Sequence, residues 1–365
     1  MFDAMKPYML EKFGNPSSLD HAYGTEASSA VEEARGKVAK CIGASASDII
    51  FTSGATESDN LALMGVMERY ADRGDHLVTC TTEHKAVLDV ARHLEASGKG
   101  VTYLPVNEVG EINLEDLKEA ITDKTVMVSI MLANNEVGTI ADVKKIGEIV
   151  HDKGAIFHTD AAQAVGHMHV DVDDMNIDLM SFSAHKMYGP KGIGALYVRG
   201  IKPRIKLNPI IRGGGHEHNN RSGTLNVPGI VGFGKAIEIS QNEMEDEIEK
   251  YRKWSKIIIN AFLDAGGILN SPHTRRLFRN INMYFPGIEN KAIINSISKQ
   301  IAISGGSACT TETVEPSHVL LAMGFNEDRA HQSIRIGLGR HNTYDEIEFA
   351  VNEIIYNIKK LKKIN

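Results

Sequence analysis

Two short apolar runs in this chain end in residues that could do chemistry together. Asp160 closes the first, in IFHTDAAQAVG (156–166), and His185 and Lys186 follow the second, in DLMSFSAHKMYGPKG (178–192). Read as neighbouring strands of an open parallel sheet, both runs deliver their last residues to one crevice, where such sheets bind ligands. A lysine there can hold an aldehyde as a Schiff base, and a carboxylate can keep a pyridine nitrogen protonated. Pyridoxal phosphate makes both demands. Either residue alone reads better as part of a solvated rim, so the case rests on what accompanies them.

Several constellations do. Ser53-Gly54-Ala55-Thr56 joins a strand pattern to a helix pattern, and a helix N-terminus with free N–H groups suits a phosphate. Taken alone, Thr56 with Glu57 behind it reads as an ordinary N-cap. His84 follows the strand-like HLVTC and could stack on an aromatic ring or shuttle protons. Asn135 ends VMVSIML in the same way, and Gln163 lies one turn beyond Asp160; both can donate hydrogen bonds to ring or substrate oxygens. In SIRIGLGR, Arg335 is a candidate bidentate clamp for a carboxylate. Cys309 sits among small residues in SGGSACTT, a context that gives a reactive thiol freedom and access. His216 and His218 hint at a metal, but no third ligand stands at a suitable spacing, and no metal is expected.

These residues need a scaffold, and the chain supplies one. From about residue 30 to 200, strand-like runs (DIIFTSG, HLVTC, VTYLPV, VMVSIML, IFHTD, DLMSFS, GALYVR) alternate with helix patterns, which predicts an α/β fold with a mostly parallel sheet between helices. A long charged helix pattern over 241–266 breaks the rhythm, and RNINMYF, KAIINSIS, IAISGG, SIRIGL and a terminal helix follow. The expected division is a large domain over 1–249 and a smaller α+β domain over 250–365 that carries Cys309. With 42% apolar residues, 24% charged residues and a net charge of −7, the composition is that of a globular chain and points away from nucleic acid or an anionic membrane as a partner. No stretch is long and apolar enough for a membrane helix, and no signal pattern opens the chain. Three cysteines without a CxxC pair suit a reducing cytoplasm; Cys41 and Cys80 read as buried apolar fillers.

The motifs SGATES, TEH, NNEVGT, HTDAAQAVG, SFSAHKMYGPKG, GGGHE, RSGTLN and SGGSACT, in this order and spacing, resemble those of the cysteine desulfurases. That family belongs to the fold-type I pyridoxal phosphate enzymes of the class-V aminotransferase group, and SGGSACT is similar to its NifS/IscS-like branch. The resemblance spans nearly the whole chain. It implies that Lys186 binds the cofactor's aldehyde and Asp160 its ring nitrogen, with Gln163 and Asn135 on the ring-hydroxyl side and His84 stacked on the ring. Ala55, Thr56, Ser183 and His185 would hold the phosphate, and Thr224 would reach the phosphate of the neighbouring subunit, which makes the protein a homodimer. Arg335 would bind the carboxylate of L-cysteine. Cys309 would accept its sulfur as a persulfide, releasing L-alanine and passing sulfur to an iron–sulfur scaffold or a tRNA-thiolation enzyme in the cytoplasm.

Two other readings stay open at this point. A selenocysteine lyase or another β-eliminating lyase would share the same cofactor site. The family also begins with an extended segment of the form YLDNAATT, which is absent before MFDAMKPYMLEKFGNPSS. A chain impaired by that loss could act as a sulfur-relay or scaffold subunit, with turnover and small-domain packing affected more than cofactor binding.

Overall fold

The computed structural model describes residues 1–306 and 315–363, so Cys309 lies outside the described residues. Ten strands and eleven helices are described. In the first 200 residues they run α1 (Phe2–Leu10), α2 (Ala22–Cys41), β1 (Ile49–Thr52), α3 (Ala55–Arg69), β2 (His76–Cys80), α4 (Lys85–Ala96), β3 (Gly100–Leu104), α5 (Leu114–Ala120), β4 (Thr125–Ser129), α6 (Val143–Asp152), β5 (Ile156–Asp160), β6 (Leu179–Ser183) and β7 (Gly194–Val198). Then come α7 (Val227–Asp264), β8 (Ile268–Leu269), β9 (Asn280–Tyr284), α8 (Asn290–Ile297), α9 (His318–Ala322), α10 (Glu327–His331), β10 (Ser333–Gly337) and α11 (Tyr344–Leu361). The long helix therefore starts well before residue 241, and KAIINSIS is helical.

The chain divides into two units: residues 1–104, 114–132 and 142–244, and residues 105–113, 133–141 and 245–365. Against the expected single cut after residue 249, the second unit is discontinuous. Two excursions from the strand–helix alternation belong to it.

The first unit is built on a seven-stranded sheet of order β1-β7-β6-β5-β4-β2-β3. Only β7 runs antiparallel to its neighbours β1 and β6; the remaining pairs are parallel, so the sheet is mostly parallel as expected. Helices cover both faces. Ile50 packs with Leu61, Ala62 and Val66 of α3, while the next residue, Phe51, meets Phe233 of α7 edge-on at 6.4 Å, and successive strand side chains point to opposite faces. Burial on both sides explains why these strands are almost continuously apolar.

The second unit has its own core. An antiparallel sheet of order β10-β9-β8 packs with Tyr251, Trp254, Ile258 and Phe262 of α7, Ile293 of α8 and Ile347, Val351 and Ile354 of α11. The terminal helix opens with a full capping box, Thr343 bonding the Glu346 N–H and the Glu346 side chain bonding the Thr343 N–H. A satellite cluster of Val137, Val319, Leu320 and Met323 ties the 133–141 excursion to this unit.

Candidate functional site

Along β5, Ile156, His158 and Asp160 share one face, and along β6 so do Leu179, Ser181 and Ser183. Ile156 and Leu179 belong to the apolar cluster under α3. Each row thus starts apolar and becomes polar towards the C-terminal end of its strand, with Asp160 in register beside Ser181. The sheet's carboxyl edge is polar on this face because the sequence changes character there.

Asp160 is 4% exposed, and its Oδ1 accepts the Ala162 N–H at 2.8 Å. Burial pushes its carboxyl above the ordinary range, opposed by that N–H and by the nearby basic side chains of His84 and Lys186. These two basic residues, far apart in sequence, therefore act on one buried acid. Lys186 lies in a short 3-10 turn, Ala184–Met187, directly after β6, and its side chain is exposed. Its carbonyl oxygen lies 2.7 Å from His167 Nε2, and Tyr188 ends the turn at φ 64°. His84 is the N-cap of α4, and its Nδ1 accepts the Ala86 N–H at 3.2 Å, so in the neutral ring the hydrogen sits on Nε2. His84, Thr56, Asn60, Asp89 and His93 line a concavity of about 350 Å³ between α3 and α4.

The expected anion site is a turn from β1 into α3. Its N-cap is Gly54 rather than Thr56, and no side chain caps the helix. Ala55 and Thr56 thus begin a helix whose first N–H groups have no intrahelical acceptor. Glu57 does not cap from within; its Oε2 accepts the Ser53 N–H at 2.8 Å, while Thr52 and Ser58 pair through their hydroxyls at 2.8 Å. Ser183 faces this turn: a Cβ on Gly54 would stand 3.8 Å from Ser183 Oγ, which itself meets His185 Nδ1 at 2.7 Å. Gln163 is half-buried in the turn after Asp160, and Thr224 is exposed on a loop.

That loop is clasped twice. Arg35 binds Glu217 with both terminal nitrogens at 2.8 Å, and Glu217 Oε2 accepts the Phe51 N–H at 2.7 Å. Arg221 Nε donates to Glu57 Oε1 at 2.7 Å. His216, a residue of the suspected metal pair, accepts the Gly223 N–H at Nδ1 at 3.2 Å. Among the described residues no group of three His, Cys, Asp or Glu side chains is gathered for a metal.

In the second unit, Asn135 and Arg335 meet. Arg335 Nη1 donates to the Asn135 carbonyl oxygen at 3.4 Å, and its Nε donates to Ser304 Oγ at 3.1 Å. Ser304 and Arg335 also exchange paired backbone bonds, so the chain entering the Cys309 segment is fixed to β10.

Sequence reasoning missed the layer beneath Asp160. Asp59 of α3 is fully buried, 3.7 Å from His158 Nε2, and His158 is held by Ser129 at 2.8 Å and Ser181 at 3.0 Å. A signal existed, since Asp59 shares the buried stripe of α3 with Ala62, Leu63 and Val66. Cys80 was expected to be an apolar filler, yet its Sγ lies 3.4 Å from Glu83 Oε1, an oxygen that also accepts the Met131 N–H at 2.6 Å. Burial first, and then Asp160, push Glu83 up to about 8 against that N–H. Cys41 is half-buried rather than buried.

Comparison with known proteins places this geometry in context. Residues 1–349 match the aminotransferase class-V family model. The chain is 51% identical to the cysteine desulfurase IscS of Rickettsia bellii, over 100% of its own length and 89% of that protein's. Among solved structures it is similar to a NifS-like protein at 37% identity and a TM-score of 0.92, covering 99% of this chain and 95% of that one. It is also similar to SspA in complex with cysteine, at 38% identity and a TM-score of 0.79, covering 93% and 95%.

Proposed function

Since the chain belongs to the class-V aminotransferase family, as a pyridoxal-phosphate-dependent cysteine desulfurase, we propose that Lys186, Asp160 and His84 form its cofactor centre and Cys309 its sulfur acceptor. The observation that carries this reading is buried Asp160 closing β5 beside β6, whose following turn presents Lys186. The residues fit the cofactor on its own chemical terms: an exposed amine, a buried acid and an uncapped helix N-terminus stand along one sheet edge. When bound, pyridoxal phosphate supplies an electron sink for negative charge at the substrate Cα.

Each residue then has a definite task. Lys186 Nζ would be the amine that holds the cofactor's aldehyde. Asp160, its Oδ1 fixed by the Ala162 N–H, would be the carboxylate that balances the ring nitrogen. The first N–H groups of α3, with Thr56, Ser183 and His185, take the phosphate, and Thr224 takes that of a second copy in a homodimer. Gln163 and Asn135 serve the ring hydroxyl. His84 presents Nε2–H as a donor to developing negative charge. Arg335 holds the substrate carboxylate, its guanidinium already oriented by Ser304.

The Cys309 thiolate attacks the substrate sulfur. An S–S bond forms, the Cβ–S bond breaks with its electron pair left on carbon, and protonation there completes L-alanine. The persulfide then passes to an iron–sulfur scaffold or a tRNA-thiolation enzyme, with the protein working in the cytoplasm. The similarity to a structure holding cysteine, and to relatives named as cysteine desulfurases, favours this over the selenocysteine-lyase and inert-scaffold readings. Mass spectrometry after L-cysteine treatment tests it: a sulfur adduct on Cys309 with alanine release is expected, and a chain that yields no alanine overturns it.

A further inference from the structure

The chemistry above leaves one buried acid unused. Asp59 is 0% exposed, and among the described residues neither carboxyl oxygen has a hydrogen-bond partner. A buried carboxylate without partners is costly, so such a group must find a counter-charge or keep its proton. The basic side chain beside it is His158, whose Nε2 lies 3.7 Å from Asp59 Oδ1. That imidazole is fixed between the Ser129 and Ser181 hydroxyls, and burial holds it neutral, its pKa driven down to about 3. The other ionisable groups acting on Asp59 are acids, Asp160 on β5 and Glu83 between β2 and α4, while Ser181 on β6 offers a hydroxyl. Among the described residues, the groups acting on this carboxyl are acids or neutral.

We propose that Asp59 is a positioning residue: it keeps its proton beneath the site, so that Asp160 is the carboxylate left to face the ring nitrogen. Burial, then Asp160 and Glu83, push the Asp59 carboxyl well above its ordinary range against the Ser181 hydroxyl. Were Asp59 ionised, a second anion would stand on the same patch and drive Asp160 to take up the proton. A protonated Asp160 cannot balance a pyridinium. Being fully buried, Asp59 acts through Asp160. The link to the ring nitrogen rests on the proposed cofactor centre, whereas the stored proton does not.

Linkage gives the test. Above the ordinary Asp value of about 4 the folded chain binds this proton and the unfolded chain does not, so rising pH favours unfolding until the raised folded value is passed. Asp59→Asn and Asp59→Ala remove the group and differ in packing. Denaturant unfolding of the full chain, with cofactor removed, should show the parent's unfolding constant rising against both variants by up to about tenfold per pH unit from about pH 5 upward. The two variants should share this slope from different baselines. A ratio flat with pH, as a purely structural role requires, or one falling with pH, overturns the proposal. If neither variant folds, carboxyl NMR of aspartate-labelled Asp160→Asn protein decides: one resonance should stay in its protonated position through neutral pH, and its absence overturns the proposal. In the loaded protein, Asp160→Asn should shift the cofactor's visible absorbance. No shift there, with the unfolding slopes as expected, would sink the cofactor centre and leave the stored proton standing.

Discussion

Gly54 and Gly194 pass so close that a Cβ built on Gly194 would stand 2.6 Å from the Gly54 Cα. Gly194 pairs with Thr52 on one side and Ser183 on the other, so its missing side chain lets the β1–α3 turn fold over the end of the sheet. A methyl group there forces the turn outward. Gly194→Ala should cost about 1–3 kcal/mol, the usual range for overpacking, and should weaken pyridoxal phosphate binding along with it. Thermal unfolding and a cofactor titration of the variant check both effects; a variant that loses stability but binds the cofactor at the parental affinity would separate the turn from the phosphate site.

Lys186 offers the opposite case. Its side chain is exposed, so Lys186→Ala should lose little packing and cost only about 1 kcal/mol, from the charge withdrawn from buried Asp160. Bound-cofactor absorbance in the visible region should nevertheless vanish. Absorption spectroscopy after incubation with pyridoxal phosphate and desalting reads this directly.

What the sequence displayed, and what it hid, follows from where each residue's partners lie. The strands HLVTC and IFHTD coincide with β2 and β5 residue for residue, because a short apolar run between polar ends is a local signal. Asp160 and Lys186 were visible for the same reason, as polar residues closing such runs. The start of α7 was hidden. VPGIVGFG (227–234) carries a proline and three glycines, residues of low helix propensity, and lies outside the expected helix over 241–266. Long-range packing overrides them: Phe233 sits against Phe51 and Phe182, and a Cβ on Gly234 would lie 2.9 Å from the Ala34 Cα, so glycine lets α2 and α7 approach. Residues 105–113 and 133–141 joined the second unit through partners more than a hundred residues away, such as Arg275 and Arg276 with Ile140 and Thr139, which no local pattern announces. Asp59 was legible only as an acid on an apolar stripe.

The clasp between Arg35 and Glu217 makes a third prediction. Both side chains are buried, at 5% and 1% exposure, and Glu217, His218 and Asn219 all adopt positive φ (49°, 56° and 66°). Three consecutive left-handed residues without glycine are held by what surrounds them. Arg35→Met leaves the Glu217 carboxylate buried and unpaired, and should cost about 3–5 kcal/mol. Adding Glu217→Gln removes the stranded charge and should recover part of that loss. Equilibrium denaturation of both proteins checks the sign; a double variant less stable than Arg35→Met would rule the charge out as the cause.

The bond from Arg221 to Glu57 carries a pH dependence. Burial works against the Glu57 carboxylate, but the Arg221 guanidinium and the Ser53 backbone and side chain outweigh it and hold the acid below its ordinary range. A depressed folded value means that the unfolded chain binds the proton first. Glu57 therefore contributes stability above the ordinary Glu value of about 4.3, and the contribution is lost as pH falls through the lower folded value. Glu57→Gln should then be less stable than the parent at neutral pH, with the difference shrinking as the pH falls from about 5 towards 3. Because Glu57 also bonds the Ser53 N–H at the head of the turn proposed to hold the phosphate, the variant should release pyridoxal phosphate faster at neutral pH. Stopped-flow capture of released cofactor measures that rate, and an unchanged rate with lowered stability would confine Glu57 to the fold.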